Sequence, residues 1–187
     1  MLETKNLMTA EELARLPSGE GKRYELVNGE LRTMAAAGFN HGEISGCIFS
    51  VLYAYAQPRH LGRLCTNETG FVLRRQPDHV RAPDVAFVVH DRLPPVSQRR
   101  SFLELAPDFV VEVVSPSDSW TEVTAKVTDW LEYGVKIVWV VDPITRSVEI
   151  WRSAERVDRR RGNDEVDAEP VLPGFRCTVN QLLPDEE

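Results

Sequence analysis

The apolar positions of this chain switch between a helical and a strand-like period, and the switches outline a mixed α/β protein. Thr9-Ala10-Glu11-Glu12 has the form of a capping box and predicts a short helix to about Leu16. Tyr24-Glu25-Leu26-Val27 and Glu30-Leu31-Arg32-Thr33-Met34 are strand-like runs flanking Asn28-Gly29, which predicts a hairpin closed by a type I′ turn. From Asn40 or His41 to about Ala56, the residues Ile44, Ile48, Val51, Leu52 and Tyr55 recur at helical spacing and define one buried face. Pro58 and Gly62 punctuate its end. Two strands are predicted next, near Arg63–Thr66 and Gly70–Arg74, and Gln76-Pro77-Asp78-His79 reads as a turn.

The second half is dominated by continuous apolar runs. Val85-Ala86-Phe87-Val88-Val89 follows Pro83-Asp84, and Phe109 to Val114 forms another run with Glu112 inside it. Between them, Leu93-Pro94-Pro95 and Gln98-Arg99-Arg100 read as a surface excursion. Ser115 to Ser119 leads into a second helix, with Ser117, Asp118 or Ser119 as N-cap and Trp120, Val123, Val127, Trp130 and Leu131 on one face. Gly134 ends it. Ile137-Val138-Trp139-Val140-Val141 is apolar at every position, the mark of a strand buried on both faces. A strand at Val148–Trp151 pairs with it through a turn at Thr145–Arg146, and the tail from Leu172 to Leu183 packs back as a short helix or loop. The order helix, strands, Asp84 strand, Glu112 strand, helix, buried strand gives a mixed sheet with helices on its faces.

Length and composition narrow the class. The chain has 187 residues, 42% of them hydrophobic and 27% charged, as expected of a single globular domain spanning 1–187. Met1 is followed by Glu3 and Lys5 with no apolar run of signal-peptide length, and no stretch approaches a membrane span, so a cytoplasmic location is the simplest expectation. Cys47, Cys65 and Cys177 are scattered and odd in number, which predicts packed free thiols rather than a disulfide or zinc framework. The net charge of −7 argues against gripping nucleic acid by bulk electrostatics. It does not exclude a nuclease, whose acidic pocket is negative until an ion fills it. Arg156, Arg159, Arg160 and Arg161 form a local basic cluster that either meets phosphates or lies on a solvated loop or edge strand.

The chemistry rests on two carboxylates in apolar strands. An unpaired buried charge costs several kcal/mol or shifts its pKa. Alone, Asp84 fits a strand cap or turn, and Glu112 fits a buried ion pair with an arginine. Together, on neighbouring strands, they fit a hard divalent cation such as Mg²⁺, which takes oxygen ligands and acidifies bound water. Lys126, at the edge of the second helix's apolar face, either snorkels to solvent or reaches over the sheet toward the pair. On the same helix, Glu122 and Asp129 are expected to point away.

YELVNGEL (24–31), FNHGEI (39–44), RAPDVAFV (81–88), DFVVEVVSPSDS (108–119), the helical Lys126 and KIVWVVDP (136–143) resemble, in this order, the Uma-two family of restriction-endonuclease-like proteins within the PD-(D/E)XK nuclease superfamily. The resemblance runs from about Met8 to Leu183. It implies a restriction-endonuclease-like core of helix, three strands, helix and strand, here with an added N-terminal hairpin. It also implies a Mg²⁺- or Mn²⁺-dependent endonuclease that cuts DNA to leave a 5′-phosphate and pairs as a homodimer. Pro83-Asp84 then matches the PD and Glu112 the (D/E). Val114 stands where lysine is usual, and Lys126 is the matching lysine, displaced onto the helix. Glu30 is implied as a further metal ligand beside Asp84 and Glu112, Glu25 as an anchor of the hairpin, and His41 as a partner of a phosphate or site carboxylate. Without the family, Glu25 and Glu30 also read as exposed hairpin carboxylates, His41 as a polar helix start, and Glu43 as a first-turn charge. The alternative function is a nuclease fold without turnover that binds nucleic acid or protein.

Overall fold

A computed structural model of the chain describes residues 7–17, 22–66 and 69–184. The leader expectation, which falls on Met1, Glu3 and Lys5, lies outside them. The chain divides into two compact units, each assembled from separated segments.

The first unit takes its described residues from 7–36, 69–82 and 94–106. Its helix α1 (Ala10–Leu13) starts at a Thr9–Glu12 capping box, as the sequence predicts, but stops three residues before Leu16. Strands β1 (Lys22–Val27) and β2 (Glu30–Ala35) form the expected hairpin, with Val27 opposite Glu30. Asn28 and Gly29 both have positive φ, 55° and 78°, as a type I′ turn requires. The order of helix α2 (Phe39–Ala56) and strand β3 (Gly62–Thr66) in the chain then gives way to β4 (Phe71–Arg74) and β5 (His79–Arg81). These last two join the hairpin in a four-stranded sheet, β2-β1-β5-β4. The strand predicted near Gly70–Arg74 therefore belongs to a separate sheet and not to the core. Its apolar residues explain this: Val72 is buried with Leu26, Val80, Ala10 and Leu13 in a core of their own.

The second unit takes its described residues from 37–66, 83–93 and 107–184. It contains α2, β3, β6 (Val85–Val89), β7 (Phe109–Val113), α3 (Trp120–Glu132), β8 (Ile137–Asp142), β9 (Ser147–Ser153) and β10 (Arg156–Arg161). The six strands form one sheet in the order β10-β9-β8-β7-β6-β3. Only β7 and β8 run parallel, and α3 makes the crossover that a parallel pair needs. Reading α2, β3, β6, β7, α3, β8 along the chain recovers helix, three strands, helix, strand.

Alternation assigns the two faces of this sheet. Phe87, Val111, Val113, Trp139 and Val141 pack with Ile44, Ile48 and Leu52 of α2 in one continuous core. The intervening positions face α3, whose Val123, Val127 and Trp130 are buried. Both Trp130 and Trp139 are fully inaccessible. Burying a side chain of that size contributes about 1.5–3 kcal/mol. The apolar run of β8, Ile137 to Val141, is buried throughout, as its sequence predicts.

The tail is more ordered than expected: β11 (Glu165–Asp167) pairs with β12 (Arg176–Thr178) before a 3-10 turn at Val179–Gln181. The arginine cluster occupies β10, an edge strand, where Arg159 pairs with the buried Glu149 of β9. The cysteines are free thiols, and burial pushes the Cys177 thiol up to about 12. Among the described residues no helix is long and apolar enough to cross a membrane.

Candidate active site

The site begins with a strand register. β6 and β7 are antiparallel, with Val85 opposite Val111. The pairing ends there, so Asp84 comes one residue before the paired run of β6 and Glu112 one residue after that of β7. Both carboxylates are buried, Asp84 at 4% exposure and Glu112 at 5%.

Asp84 immediately precedes β6, because Pro83 has no ladder donor and favours such a boundary. Its Oδ2 accepts the Val113 amide at 2.8 Å and lies 3.1 Å from His41 Nε2 in the first turn of α2. Burial works against the ionised carboxyl. The hydrogen bond and charge of His41, the Val113 amide and the charge of Lys126 outweigh it and hold the Asp84 pKa below the ordinary aspartate value.

Glu112 has a partner for each oxygen. Lys126 Nζ lies 3.2 Å from Oε2, and the Trp130 indole donates to Oε1 at 2.8 Å. Lys126 and Trp130 are one turn apart on α3, so a single helix face delivers both. The helix is fixed at its start by Ser119, which caps the Glu122 amide while Glu122 reaches back to the Ser119 amide. Those Ser119 hydrogen bonds, with the charge of Lys126, hold the Glu122 carboxyl below its usual range.

Beside this pair is a cavity of about 30 Å³ bounded by Glu112, Val114, Asp118, Glu122, Val123 and Lys126. It has room for a water but not for a nucleotide. Glu122, which the helical angles set away from the apolar face, lines it together with Lys126. Val114 lines it too, so position 114 and position 126 look onto the same space.

The structure thus joins Asp84 to His41 and Glu112 to Lys126. Glu25 and Glu30 belong to the other unit. Glu25 is buried at 1% exposure, where its carboxylate accepts Arg81 Nη1 at 2.7 Å and the Ala82 amide at 2.9 Å. Glu30 is half-buried, 3.4 Å from Arg32 Nη2. Glu43 lies beyond the first turn of α2, which carries no acidic residue, because the helix starts at Phe39, earlier than the sequence suggests. Sequence reasoning placed Trp130 on the apolar face of α3 and missed its bond to Glu112. The signal available was its position four residues after Lys126, since a buried indole N–H needs an acceptor.

Asp84 and Glu112 fit a hard cation in ligand type: Mg²⁺ is commonly held by one or two carboxylates and keeps several waters. Among the described residues no three His, Cys, Asp or Glu side chains gather closely enough to hold an ion by themselves.

Known proteins place this architecture. No curated protein matches the chain. A solved structure described as a putative nuclease belonging to DUF820, from Anabaena variabilis, is similar with a TM-score of 0.80 and 21% identity, covering 94% of this chain and 97% of that one. At that identity the likeness speaks for the fold. A family model described as "Uma2: Putative restriction endonuclease" matches residues 10–180, nearly the whole described chain. With a nuclease-like fold, and a match of that length, the chain belongs to the Uma2 family.

Proposed function

We propose that this chain is an endonuclease that hydrolyses DNA phosphodiester bonds with Mg²⁺ or Mn²⁺. The observation that carries the reading is the Lys126 ammonium beside Glu112, next to Val113, whose amide binds Asp84. Asp84 and Glu112 would hold the ion. When bound, such an ion polarises a phosphoryl oxygen and lowers the pKa of a coordinated water. Lys126 places a compact positive charge where it orients the attacking water and offsets charge developing on the phosphate. His41 holds Asp84 through its 3.1 Å contact. Glu25 anchors the hairpin. Attack at phosphorus breaks the bond to the 3′ oxygen and leaves a 5′-phosphate.

We further propose that residues 1–187 act as one cytoplasmic nuclease domain and pair as a homodimer to cut two strands. The interleaving of the segments supports a single domain, since neither unit is a continuous stretch of chain. A single unfolding transition and a dimer mass in sedimentation are the expected results.

The direct test incubates purified protein with plasmid and oligonucleotides over a range of Mg²⁺ and Mn²⁺. Metal-dependent cleavage that disappears in Asp84→Ala and Glu112→Ala is expected. Cleavage by those variants at the wild-type rate rejects the reading.

A second reading, a nuclease fold that binds without cutting, has one observation in its favour. Both Glu112 oxygens already have donors, so the site is internally satisfied. Calorimetry separates the two: Mn²⁺ binding that Asp84→Asn abolishes counts against a dead site.

A further inference from the structure

We propose that Trp130 is a positioning residue for Glu112, fixing which carboxylate oxygen the site offers to a divalent cation. The proposal rests on the metal-site reading above, and it concerns a residue that neither the strand register nor the acidic motif points to.

Trp130 is fully buried, and its indole N–H has one donor to give. It gives it to Glu112 Oε1 at 2.8 Å. The other oxygen, Oε2, lies 3.2 Å from the ammonium of Lys126, which lines the cavity with Glu112. The two oxygens are therefore not equivalent. A neutral donor on a rigid, inaccessible ring holds Oε1. An ammonium on a side chain 26% exposed holds Oε2. A cation can displace or share with the ammonium at far lower cost than it can dislodge a buried indole. Trp130 thus locks the Glu112 rotamer and leaves Oε2 as the ligand oxygen.

The same bond answers a question of stability. A carboxylate inside a sheet needs hydrogen bonds to remain ionised. The indole supplies one without adding a charge, so it does not compete with the ion electrostatically. A second lysine or arginine at position 130 would neutralise Glu112 and weaken its attraction for a cation.

Partners of this kind, lying behind a metal ligand, typically change metal affinity by 10–100-fold when removed. Trp130→Phe keeps an aromatic ring and deletes the donor. Titration of Mg²⁺ and Mn²⁺ by calorimetry is expected to show binding about 10–100-fold weaker in Trp130→Phe than in wild type. Wild-type affinity in the folded variant overturns the positioning role and leaves the metal site standing. Wild-type protein that binds neither ion overturns the metal site and this role with it.

If Trp130→Phe fails to fold, the wild-type protein supplies the measurement. An indole N–H resonance that moves in Glu112→Gln identifies Trp130 by nuclear magnetic resonance. It should also shift on saturation with Mg²⁺ while staying protected from solvent exchange. A resonance that ignores the ion overturns the proposal.

Discussion

Lys126 Nζ sits 3.2 Å from Glu112 Oε2, in the position where a bound cation would compete with it. That geometry separates two roles for the lysine. A structural counter-ion would be needed mainly for folding, whereas a catalytic ammonium would be needed mainly for turnover. Lys126→Met should fold and should bind Mg²⁺ at least as tightly as wild type, because the competing charge is gone. Cleavage should fall by about 10²–10⁴-fold, the usual range for losing a positioned proton-transfer or charge-stabilising group. Calorimetry and a plasmid cleavage time course check both arms. Unchanged cleavage removes Lys126 from the chemistry.

The hairpin carboxylates call for opposite outcomes. Glu25 is buried with Arg81 and the Ala82 amide. Glu25→Ala leaves a guanidinium 9% exposed without its carboxylate and should cost about 3–5 kcal/mol. Its rate per folded molecule should remain near wild type if anchoring is its role. Glu30 makes a half-exposed contact with Arg32. Glu30→Ala should change stability by less than about 1 kcal/mol. Urea unfolding resolves the two, and a Glu30→Ala loss as large as that of Glu25→Ala contradicts this reading.

Much of this was legible in local pattern. Asn28-Gly29 announced its hairpin because only a few residues accept positive φ at both turn positions. Asp84 and Glu112 stood out because charges are rare in apolar strands. The destination of Phe71 and Val72 was not legible. A short apolar strand carries no record of which sheet it will join, and these residues pair with β5 and join the sheet of the hairpin. Trp130 was hidden for another reason. On a helical wheel an indole counts as apolar surface, and its single polar atom has no period. Glu122 was set aside by helical angle, although a charged side chain one turn from Lys126 can line the same cavity.

Asp108 provides a pH test away from the chemistry. It is completely buried, accepts the Val89 amide at 3.0 Å, and lies 2.8 Å from Arg92 and 3.1 Å from Lys136. Burial pushes its carboxyl up, but the amide and the two cations prevail and hold it below the ordinary value. A carboxyl with a depressed folded-state pKa stabilises the fold above its unfolded pKa of about 3.9 and loses that contribution as pH falls through the folded value. Asp108→Asn should therefore be less stable than wild type by about 1–3 kcal/mol at neutral pH, because the Arg92 and Lys136 cations it leaves are 40% and 50% exposed and water screens them. The gap should stay constant down to about pH 4 and narrow below it. Thermal unfolding from pH 7 to pH 3 measures it, and a gap that widens on acidification contradicts this account of the three partners.

Position 114 offers the most demanding test of the displaced lysine. Val114 extends β7 by one residue and has the same parity as Glu112, so both side chains belong to the α3 face. It is half-buried and lines the same cavity as Lys126. If the chemistry needs an ammonium in that cavity and not a particular backbone origin, the lysine should be movable. Val114→Lys in a Lys126→Ala background should recover about 10–100-fold of the cleavage lost in Lys126→Ala alone, a fraction of what a positioned group contributes. Recovery should be incomplete, because the new stem must find a rotamer in a space shaped for valine. Val114→Lys with Lys126 intact should instead weaken Mg²⁺ binding, since two ammonium groups then face Glu112. Both variants need circular dichroism to verify the fold before cleavage is compared. A double variant that folds, binds the ion and still cuts no better than Lys126→Ala would show that the origin of the lysine on α3, one turn from Trp130, is itself required.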